Sequence, residues 1–432
     1  MSNVYPADSK ARIVFKFFIF HARCFNEAHC ICFFHKITYL IIPKTIVIDK
    51  LLCYDLIKEG GFMLLVKNAN YNGNRVDILS LDGKITKIEK NIENYYGIEE
   101  IDLNGKRIFP SLIDGHVHVT GGGGEMGPTS RVPEIKYEDI IMAGVTTLVG
   151  LLGTDSTTRS VENLVSKVKA LNEYNVRAFA LTGAYEYPSK TITGSVKKDI
   201  TYISEIIGCK LAISDHRSSY ITEDELVRLA SECYLGGLFA GKVGELHMHT
   251  GGLGKEGLSK VFAVLEKHEI PIKTFRPTHC KNIVDDAVKF MNMGGYADFT
   301  AGESDLDAID YAIKNAPFDK ITLSSDSNGS VPIWSKDKEL LGIGAAKISE
   351  LFDTIKALCK NYGYELKDMI KLASTNAAKA LEIDKITGDI KEGLSLDLMA
   401  LDDNDNIDTV ISKGILEVKD KKVLRKTNFS DF

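Results

Sequence analysis

Apolar and polar positions alternate at both ends of the regular part of this chain. From Met63 onward, short alternating runs are separated by turn residues, with Asp82-Gly83 between two of them. A period of two predicts strands, and Asp-Gly between such runs is typical of a β-hairpin. Residues 415–418 repeat the pattern near the C-terminus, so we expect the two ends to pair into one small β-sandwich domain. This domain would comprise residues 63–107 and 385–427.

The middle of the chain alternates short apolar runs with segments of helical periodicity. Residues 145–149 and 209–213 are such runs, whereas 161–174 and 257–268 carry apolar residues at helical spacing. Roughly eight such units predict an α/β fold, a (β/α)8 TIM-like barrel over residues 108–384, rather than an open doubly wound sheet.

Residues 1–62 differ from the rest of the chain. They mix aromatic residues, His and Cys without a regular period, and the apolar run 31–48 is interrupted by Pro43 and Lys44. Such a run is a poor transmembrane span, and it lacks the small-residue cleavage site of a signal peptide. We expect residues 1–62 to be an extra N-terminal segment outside the functional domain. Two interpretations are open: an over-long start assignment with Met63 as the true start, and a membrane-anchoring leader.

The composition is that of an ordinary soluble enzyme. Of the 432 residues, 44% are hydrophobic and 26% are charged, and the net charge is −6. No Lys/Arg stripe with interleaved aromatic residues is present, so we expect no nucleic-acid and no membrane partner. Cysteines of the regular part are scattered singly, which indicates reduced thiols and a cytoplasmic location. The expected partner is a small-molecule substrate, and we expect a homo-oligomer.

Two histidines stand two residues apart where the first barrel strand should end. His116 and His118 follow the apolar run 108–114, and residues i and i+2 of a strand face the same side. Imidazole is a common ligand of zinc and similar cations, so the pair is a candidate metal site. Taken alone, two incidental histidines at a strand end would be an equally good interpretation.

Further polar residues occupy the ends of the predicted barrel strands, which converge on one site in this architecture. In chain order these residues are His116, His118, Thr154, Tyr185, Lys210, His249, His279 and Asp326. Burying so many polar groups without partners is costly, and metal coordination removes that cost. The set therefore favours a metal-dependent enzyme.

Lys210 is unexpected beside metal ions, because a protonated amine would be repelled by them. A lysine carboxylated by carbon dioxide becomes an anionic carbamate that can bridge two metals; the alternative is a salt-bridged surface lysine. Two metals can lower the pKa of a bridging water and polarise a carbonyl. Asp326, last on the eighth predicted strand, is placed to ligate one metal and to take a proton from that water.

Longer motifs around these positions point to a family. They are residues 114–118, the Gly121–Gly124 loop with Glu125, Gly150–Asp155, Leu181–Tyr185, Ala212–Arg217, Pro277–His279 and Leu323–Ser330. With them, the chain from about Met63 to Lys426 resembles the bacterial isoaspartyl dipeptidases of the amidohydrolase superfamily. The resemblance implies a binuclear zinc hydrolase, a metal-dependent peptidase that cleaves the β-linked peptide bond of isoaspartyl dipeptides.

The resemblance also implies the metal ligands. For the two Zn²⁺ ions of each subunit, they are His116, His118 and Asp326 on one, His249 and His279 on the other, and a carboxylated Lys210 between them. His249 is preferred to His247 because it precedes Thr250-Gly251, as the family's ligand precedes its glycine. His247 would then be a packed histidine or a neighbour of the ligands.

An isoaspartyl dipeptide offers an α-amino group and two carboxylates, and the chain has residues that suit them. Glu125 follows four glycines that let the backbone approach a ligand closely, and its charge suits the ammonium. Arg217 suits a carboxylate through its planar fork. Tyr185 is a candidate catalytic residue beside Asp326 because its phenol can stabilise an oxyanion. Thr154 and Ser330 are the remaining implied contacts of the substrate.

One position departs from the family pattern, which carries a second substrate-binding arginine three residues after the ligand histidine. Asn282 occupies this position, with Lys281 beside it. Either Lys281 supplies the positive charge, or carboxylate binding is weaker, or the substrate differs. The alternatives are another amidohydrolase that acts on a cyclic amide or an N-acyl amino acid, and a non-catalytic amidohydrolase-like scaffold.

Overall fold

The structure, a computed structural model, describes residues 62–94, 97–251, 256–334 and 340–428. The predictions made for the N-terminal segment fall on residues 1–61, which lie outside the described residues. None of the described helices combines the length and the apolar character that crossing a membrane requires.

Five strands open the described chain and belong to one mixed sheet. They are β1 (Met63–Tyr71), β2 (Asn74–Leu81), β3 (Lys84–Glu89), β4 (Glu99–Asp102) and β5 (Arg107–Pro110). The turn between β2 and β3 contains Gly83, whose φ of +75° is rarely adopted by L side chains. A Cβ at this position would also lie 2.4 Å from the Lys413 carbonyl oxygen, so the turn requires glycine.

The next strands along the chain are parallel. They are β6 (Leu112–Val117), β7 (Val145–Gly150), β8 (Arg177–Gly183), β9 (Ile206–Ile213), β10 (Glu245–Thr250), β11 (Phe275–Thr278), β12 (Ala297–Thr300) and β13 (Ile321–Ser324). β6 to β11 form a six-stranded sheet in sequential order, and β12 pairs with β13. Val117 of β6 forms a parallel bridge with Ser327 beyond β13. This curled parallel arrangement is compatible with the predicted TIM-like barrel.

Helices alternate with these strands, as the sequence pattern predicts. They are α1 (Tyr137–Met142), α2 (Val161–Glu173), α3 (Val196–Tyr202), α4 (Glu223–Ala240), α5 (Ser259–Lys267), α6 (Val284–Asn292), α7 (Leu306–Asn315), α8 (Glu350–Tyr362), α9 (Leu366–Met369) and α10 (Thr375–Ala380). Short 3-10 helices lie at Pro128–Ser130, Ile272–Thr274, Cys280–Ile283, Glu303–Asp305, Phe318–Lys320 and Ile370–Ala373. α4 begins at a capping box of Thr222 and Glu225 and ends at Gly241, whose φ is +63°. The buried faces of the helices pack on the strands to form the main hydrophobic core.

The C-terminal strands return to the first sheet. The remaining strands are β14 (Ser330–Trp334), β15 (Leu340–Ala345), β16 (Leu398–Leu401), β17 (Ile407–Ser412), β18 (Ile415–Lys419) and β19 (Lys422–Val423). β14 and β15 form a separate hairpin, whereas the last four join a nine-stranded sheet in the order β19-β18-β17-β16-β5-β1-β2-β3, with β4 on β1. The two ends of the described chain therefore share one sheet. A two-layer sandwich and the domain limits stay predictions.

A buried ion pair ties the parallel sheet to the segment that leads into β16. Arg177 Nη1, at the start of β8, donates to an Asp397 carboxylate oxygen at 2.7 Å. Asp397 is 3% exposed and also accepts from the Lys413 backbone N–H and from Thr387 Oγ1. Burial raises the pKa of this carboxyl, but Arg177 and the hydrogen bonds outweigh that effect and hold the pKa below its usual range.

We expect Asp397→Ala to lower the free energy of unfolding by about 3 kcal/mol, because it removes the counter-ion of the partly buried Arg177 and leaves only its hydrogen bonds to Thr147 and Ser395. Urea or thermal unfolding would measure the loss. Because the native pKa of Asp397 is depressed, the contribution should be complete above about pH 4 and should disappear as the pH falls through the native pKa.

The matched control is Lys87→Ala, which removes the exposed ion pair with Glu89. Exposed pairs contribute little, so a loss of about 0.5 kcal/mol or less is expected. A loss for Asp397→Ala no larger than that of the control would contradict the role of the buried pair.

Candidate metal centre and active site

His116 and His118 lie side by side at the end of β6. Their ring centroids are 5.4 Å apart, and both residues are buried. The ladder between β6 and β7 is irregular between Asp114 and Val117, which lets the strand end bend. The structure thus brings the two predicted ligands together, as alternation along a strand requires.

Asp326 reaches these histidines from the turn that follows β13. Its Oδ1 lies 3.2 Å from His116 Nε2 and 3.1 Å from His118 Nε2. Asp326 has a φ of +52°, which is uncommon for a residue other than glycine. The preceding Ser325 donates its backbone N–H and its hydroxyl to the buried Asp114 carboxylate. This link between β6 and the turn fixes the unusual backbone that aims Asp326 at the histidines.

His279 completes this group from the end of β11. Its φ is +60° and its ψ is 41°, so a second member of the site has left-handed backbone. Nδ1 of His279 lies 2.6 Å from Thr300 Oγ1, which orients the ring. Candidate ligand atoms of His116, His279 and Asp326 all lie within 4.8 Å of one another.

The donor atoms of this group fit a bound divalent metal. Among the described residues, His279 Nε2 and Asp326 Oδ1 are buried atoms without a hydrogen-bond partner. The separations of 3.1 and 3.2 Å between the imidazole nitrogens and the carboxylate oxygen match ligands of one centre. Ligand atoms about 2.0–2.1 Å from a tetrahedral zinc lie about 3.3 Å apart. Burial lowers the pKa of His116 and His279 well below the usual value, so both imidazoles are neutral and keep a lone pair for a metal.

Lys210 projects from β9 into the same group and is fully buried. Its Nζ lies 3.5 Å from His116 Nε2 and 5.8 Å from the centre of the Tyr185 ring. Burial lowers the pKa of the amine to about 7, although the nearby carboxylate of Asp326 acts in the opposite direction. A large fraction of this amine is therefore uncharged near neutral pH.

His249, at the end of β10, lies next to His279, with ring centroids 4.6 Å apart. Both of its ring nitrogens have polar neighbours. Nδ1 lies 2.7 Å from the Tyr185 hydroxyl, and Nε2 lies 3.0 Å from Asp215 Oδ2 and 3.3 Å from Arg217 Nη2. Burial raises the pKa of the Tyr185 phenol well above its usual value, so this group stays protonated.

A polar pocket opens above the histidines and collects the predicted substrate residues. Glu125 Oε1 accepts from Thr154 Oγ1 at 3.2 Å and from Ser330 Oγ at 3.0 Å, and it lies 3.6 Å from Arg217 Nη1. The described lining also contains Arg159. That guanidinium donates to the carbonyl oxygens of residues 120, 122 and 132, so it holds the glycine loop in place.

Two residues next to the predicted set, Asp215 and Glu245, were not predicted to belong to the site. Asp215 accepts two side-chain hydrogen bonds from Arg217, both at 3.0 Å, and contacts His249. Its position in the motif Ala212–Arg217, directly beyond β9, is the signal that could have found it. His247 contacts the predicted ligand His116, with Nε2 3.1 Å from His116 Nδ1. Its other ring nitrogen lies 3.2 Å from Glu245 Oε1.

Lys281 and Asn282 lie away from the pocket. Lys281 Nζ is 3.6 Å from Asp305 Oδ2, in the 3-10 helix that precedes α7. Among the described residues that line the pocket, neither Lys281 nor Asn282 is present. Of the two arginines in the described lining, Arg159 is held by carbonyl oxygens of the glycine loop, so Arg217 is the candidate cation for a ligand, and Lys281 forms a separate ion pair.

The chain is similar to proteins of known family and structure. Residues 107–416 match the model of the amidohydrolase family. One similar structure is a β-aspartyl dipeptidase from the thermophilic, keratin-degrading Fervidobacterium islandicum AW-1, solved in complex with β-Asp-Leu dipeptide. Its sequence is 36% identical and the TM-score is 0.79. The match covers 85% of this chain and 100% of that chain. An N-acetylglucosamine-6-phosphate deacetylase from Pasteurella multocida is 15% identical with a TM-score of 0.56, covering 83% of this chain and 100% of that chain, and shares the fold alone.

A dihydroorotase of Bacillus cytotoxicus matches a shorter region. It is 35% identical over 114 residues, which is 25% of this chain and 26% of that protein, so the chain spans about a quarter of this relative's length. The family model, in contrast, runs from β5 into β18 and includes every predicted site residue. The chain belongs to the amidohydrolase family, and over most of its length it is similar to the β-aspartyl dipeptidases.

Proposed function

We propose that this protein is a binuclear zinc hydrolase that cleaves the β-linked peptide bond of isoaspartyl dipeptides. The observation that carries the proposal is a carboxylate and a guanidinium, Glu125 and Arg217, in the pocket that also exposes Asp326. One charge of each sign suits the ammonium and the carboxylate of an α-amino acid. In an isoaspartyl dipeptide these two groups flank the side chain that carries the scissile bond. The relative solved with β-Asp-Leu supports the same substrate class.

The proposed metal ligands are the six buried or partly buried groups at the strand ends. We assign His116, His118 and Asp326 to one Zn²⁺, His249 and His279 to the other, and a carboxylated Lys210 to a bridging position. When bound, the metal pair supplies an activated water and polarises the scissile carbonyl. The pKa of about 7 supports the assignment of Lys210, because only an uncharged amine reacts with carbon dioxide. His249 would exchange one of its present hydrogen bonds for the metal.

Asp326 and Tyr185 are the proposed catalytic residues. The Asp326 carboxylate would take the proton of the attacking water and deliver it to the leaving amine. Tyr185 keeps its proton because burial raises the pKa of the phenol, so its hydroxyl can donate to the developing oxyanion. The 2.7 Å contact with His249 supports this role, because His249 is a proposed metal ligand.

Thr154 and Ser330 support the substrate side of the site. Both hydroxyls donate to one oxygen of Glu125, which leaves its other oxygen for an ammonium group. Arg217 is held by Asp215 through Nε and Nη2, so Nη1 is the donor that faces Glu125 and the pocket. We propose that Nη1 binds the α-carboxylate of the substrate.

The finer features of the fold belong to the same proposal. We assign residues 108–384 to a closed (β/α)8 barrel that carries the metal site, and residues 63–107 and 385–427 to a small β-sandwich domain. Residues 1–62 would lie outside the functional domain. A cytoplasmic location, a homo-oligomeric state and a small dipeptide as the main partner complete the proposal.

A second candidate function is hydrolysis of a cyclic amide or an N-acyl amino acid. The observation that favours it is the ion pair of Lys281 with Asp305. Asn282 stands where the family has a second substrate-binding arginine, and Lys281 does not line the described pocket in its place. The partial match to a dihydroorotase points the same way. A non-catalytic scaffold is less consistent with the site, because none of the six proposed ligand residues is replaced.

A substrate panel with added Zn²⁺ separates these functions. We expect β-Asp-Leu to be hydrolysed with a kcat/KM at least about 100-fold above that for α-Asp-Leu, because only the β-linkage brings the scissile carbonyl to the metals while the charged ends stay bound. Equal or absent turnover of the β-linked dipeptide would reject the proposal. Faster turnover of dihydroorotate or an N-acetyl amino acid would establish the second candidate.

Asp326→Asn keeps the size of the side chain and removes its ability to accept a proton. We expect kcat for β-Asp-Leu to fall by about 10²- to 10⁴-fold, with an unchanged unfolding temperature. Asp319→Asn, an exposed change in the turn before β13, is the matched control and should keep full activity. A zinc-loaded Asp326→Asn variant with wild-type kcat would remove Asp326 from the mechanism.

Recognition of the α-amino group can be isolated with succinyl-leucine, which is β-Asp-Leu without that group. The wild type should prefer β-Asp-Leu by about 10- to 100-fold in kcat/KM, the range of a charge-assisted hydrogen bond. Glu125→Gln should remove most of this preference, whereas Glu134→Gln, an exposed carboxylate paired with Lys167, should leave it intact. A preference that survives Glu125→Gln would assign ammonium binding to another residue.

A further inference from the structure

We propose that His247 is a positioning residue for His116, and that Glu245 sets the direction of the hydrogen bonds between them. The inference rests on the metal role proposed for His116. It concerns the side of that ring which faces away from the pocket, where the chain supplies a second histidine and a carboxylate of its own.

The three groups form a continuous buried chain of contacts. His247 Nε2 lies 3.1 Å from His116 Nδ1, and His247 Nδ1 lies 3.2 Å from Glu245 Oε1. All three residues are at most 1% exposed. Glu245, His247 and His249 occupy alternate positions of β10, so one face of the strand carries the carboxylate, the inner histidine and the outer proposed ligand.

The carboxylate gives this chain a direction. An ionised carboxylate only accepts hydrogen bonds, so His247 must carry its proton on Nδ1 and offer the lone pair of Nε2. His116 then donates from its own Nδ1, which leaves the lone pair of its Nε2 pointing at the site. That Nε2 is the atom 3.2 Å from Asp326 Oδ1. Hydrogen bonds of this kind orient a ligand imidazole and strengthen its donation to a metal.

Burial raises the pKa of the Glu245 carboxyl above its usual value, although Arg276 and Lys210 act in the opposite direction. Arg276 is buried beside it, with Nη1 3.7 Å from Glu245 Oε2. The same guanidinium donates to Thr322 Oγ1 at 3.2 Å and lies 4.0 Å from Asp298. The buried guanidinium faces Glu245 Oε2, which has no hydrogen-bond partner among the described residues, so the positive charge of Arg276 favours the form of Glu245 that accepts from His247.

Thr278 is the competing acceptor for His116. Its Oγ1 lies 3.5 Å from His116 Nδ1 and donates to Asp298 Oδ2 at 2.9 Å. The distance to His247 is 0.4 Å shorter, from 3.5 to 3.1 Å, and lies in the range of a normal hydrogen bond. The geometry therefore favours His247 as the partner of His116.

Two substitutions of His247 by amide side chains of different length test its role in positioning His116. In His247→Gln the amide oxygen can occupy the place of Nε2 and accept from His116, whereas the shorter side chain of His247→Asn cannot reach that ring. Zinc affinity of the purified protein would be measured by competition with a chromogenic chelator, and the visible spectrum of the Co²⁺-loaded protein would report the ligand geometry. Unfolding of the metal-free protein provides a separate readout of packing.

We expect His247→Asn to raise the Kd for zinc by about 10- to 100-fold and to change the Co²⁺ spectrum, and His247→Gln to stay within about threefold of the wild type. Met248→Leu, a buried change at the next position of β10, should leave both readouts unchanged. Glu245→Gln should also weaken zinc binding, because an amide can donate to His247 and reverse the chain.

Several results would overturn the inference. These are wild-type zinc affinity in His247→Asn, equal losses in the Asn and Gln variants, or a loss confined to Thr278→Val. If the His247 variants do not fold, an unchanged zinc affinity in Glu245→Gln would also overturn the inference. A wild-type protein that binds less than one zinc per chain would overturn the proposed function as well, so the two failures are distinguishable.

Discussion

Burial of polar atoms without partners is the constraint on which the site depends. A polar group transferred from water to a protein interior without a hydrogen bond costs about 1–3 kcal/mol, and a charge costs more. At Asp298, deeper in the parallel sheet, hydrogen bonds within the chain offset this cost, because the carboxylate accepts from Thr278, Thr322 and Ser324. At the strand ends it does not, because His279 Nε2 and Asp326 Oδ1 converge without hydrogen-bond partners. A cation is the group that satisfies such a set of acceptors.

Keeping those acceptors together requires backbone conformations that the chain would not adopt unaided. His279 and Asp326 both have positive φ values, and each strained residue costs on the order of 1–3 kcal/mol. Asp114 compensates for this at Asp326 by accepting two hydrogen bonds from Ser325. Asp114 is itself an inward residue of β6, two positions before His116, so one strand supplies a proposed ligand and the support for another.

Sequence reasoning succeeded where position along an element determines position in space. His116 and His118 could be paired from strand alternation, and Lys210 could be placed inside because it lies in an apolar run. The partners of these residues could not be predicted, because they depend on angles between strands that no local pattern encodes. Asp215 and Glu245 became visible as neighbours of the site only once β9 and β10 were placed, whereas a position next to the proposed ligands was one of the two interpretations of His247. The ion pair of Lys281 with Asp305 could not be predicted for the same reason, because it joins two turns that are distant in sequence.

Charges in the pocket explain why we propose a zwitterionic end group as its ligand. Glu125 and Arg217 lie 3.6 Å apart, and Asp215 already holds two donors of the guanidinium, so the group carries one more negative than positive charge. A ligand with a carboxylate alone would have to separate Arg217 from Glu125 and would leave that glutamate unpaired. An α-amino acid end would replace both partners at once, because its ammonium would bind Glu125 while its carboxylate would bind Arg217. Discrimination between these two kinds of ligand would then follow from unpaired charge rather than from the shape of the pocket.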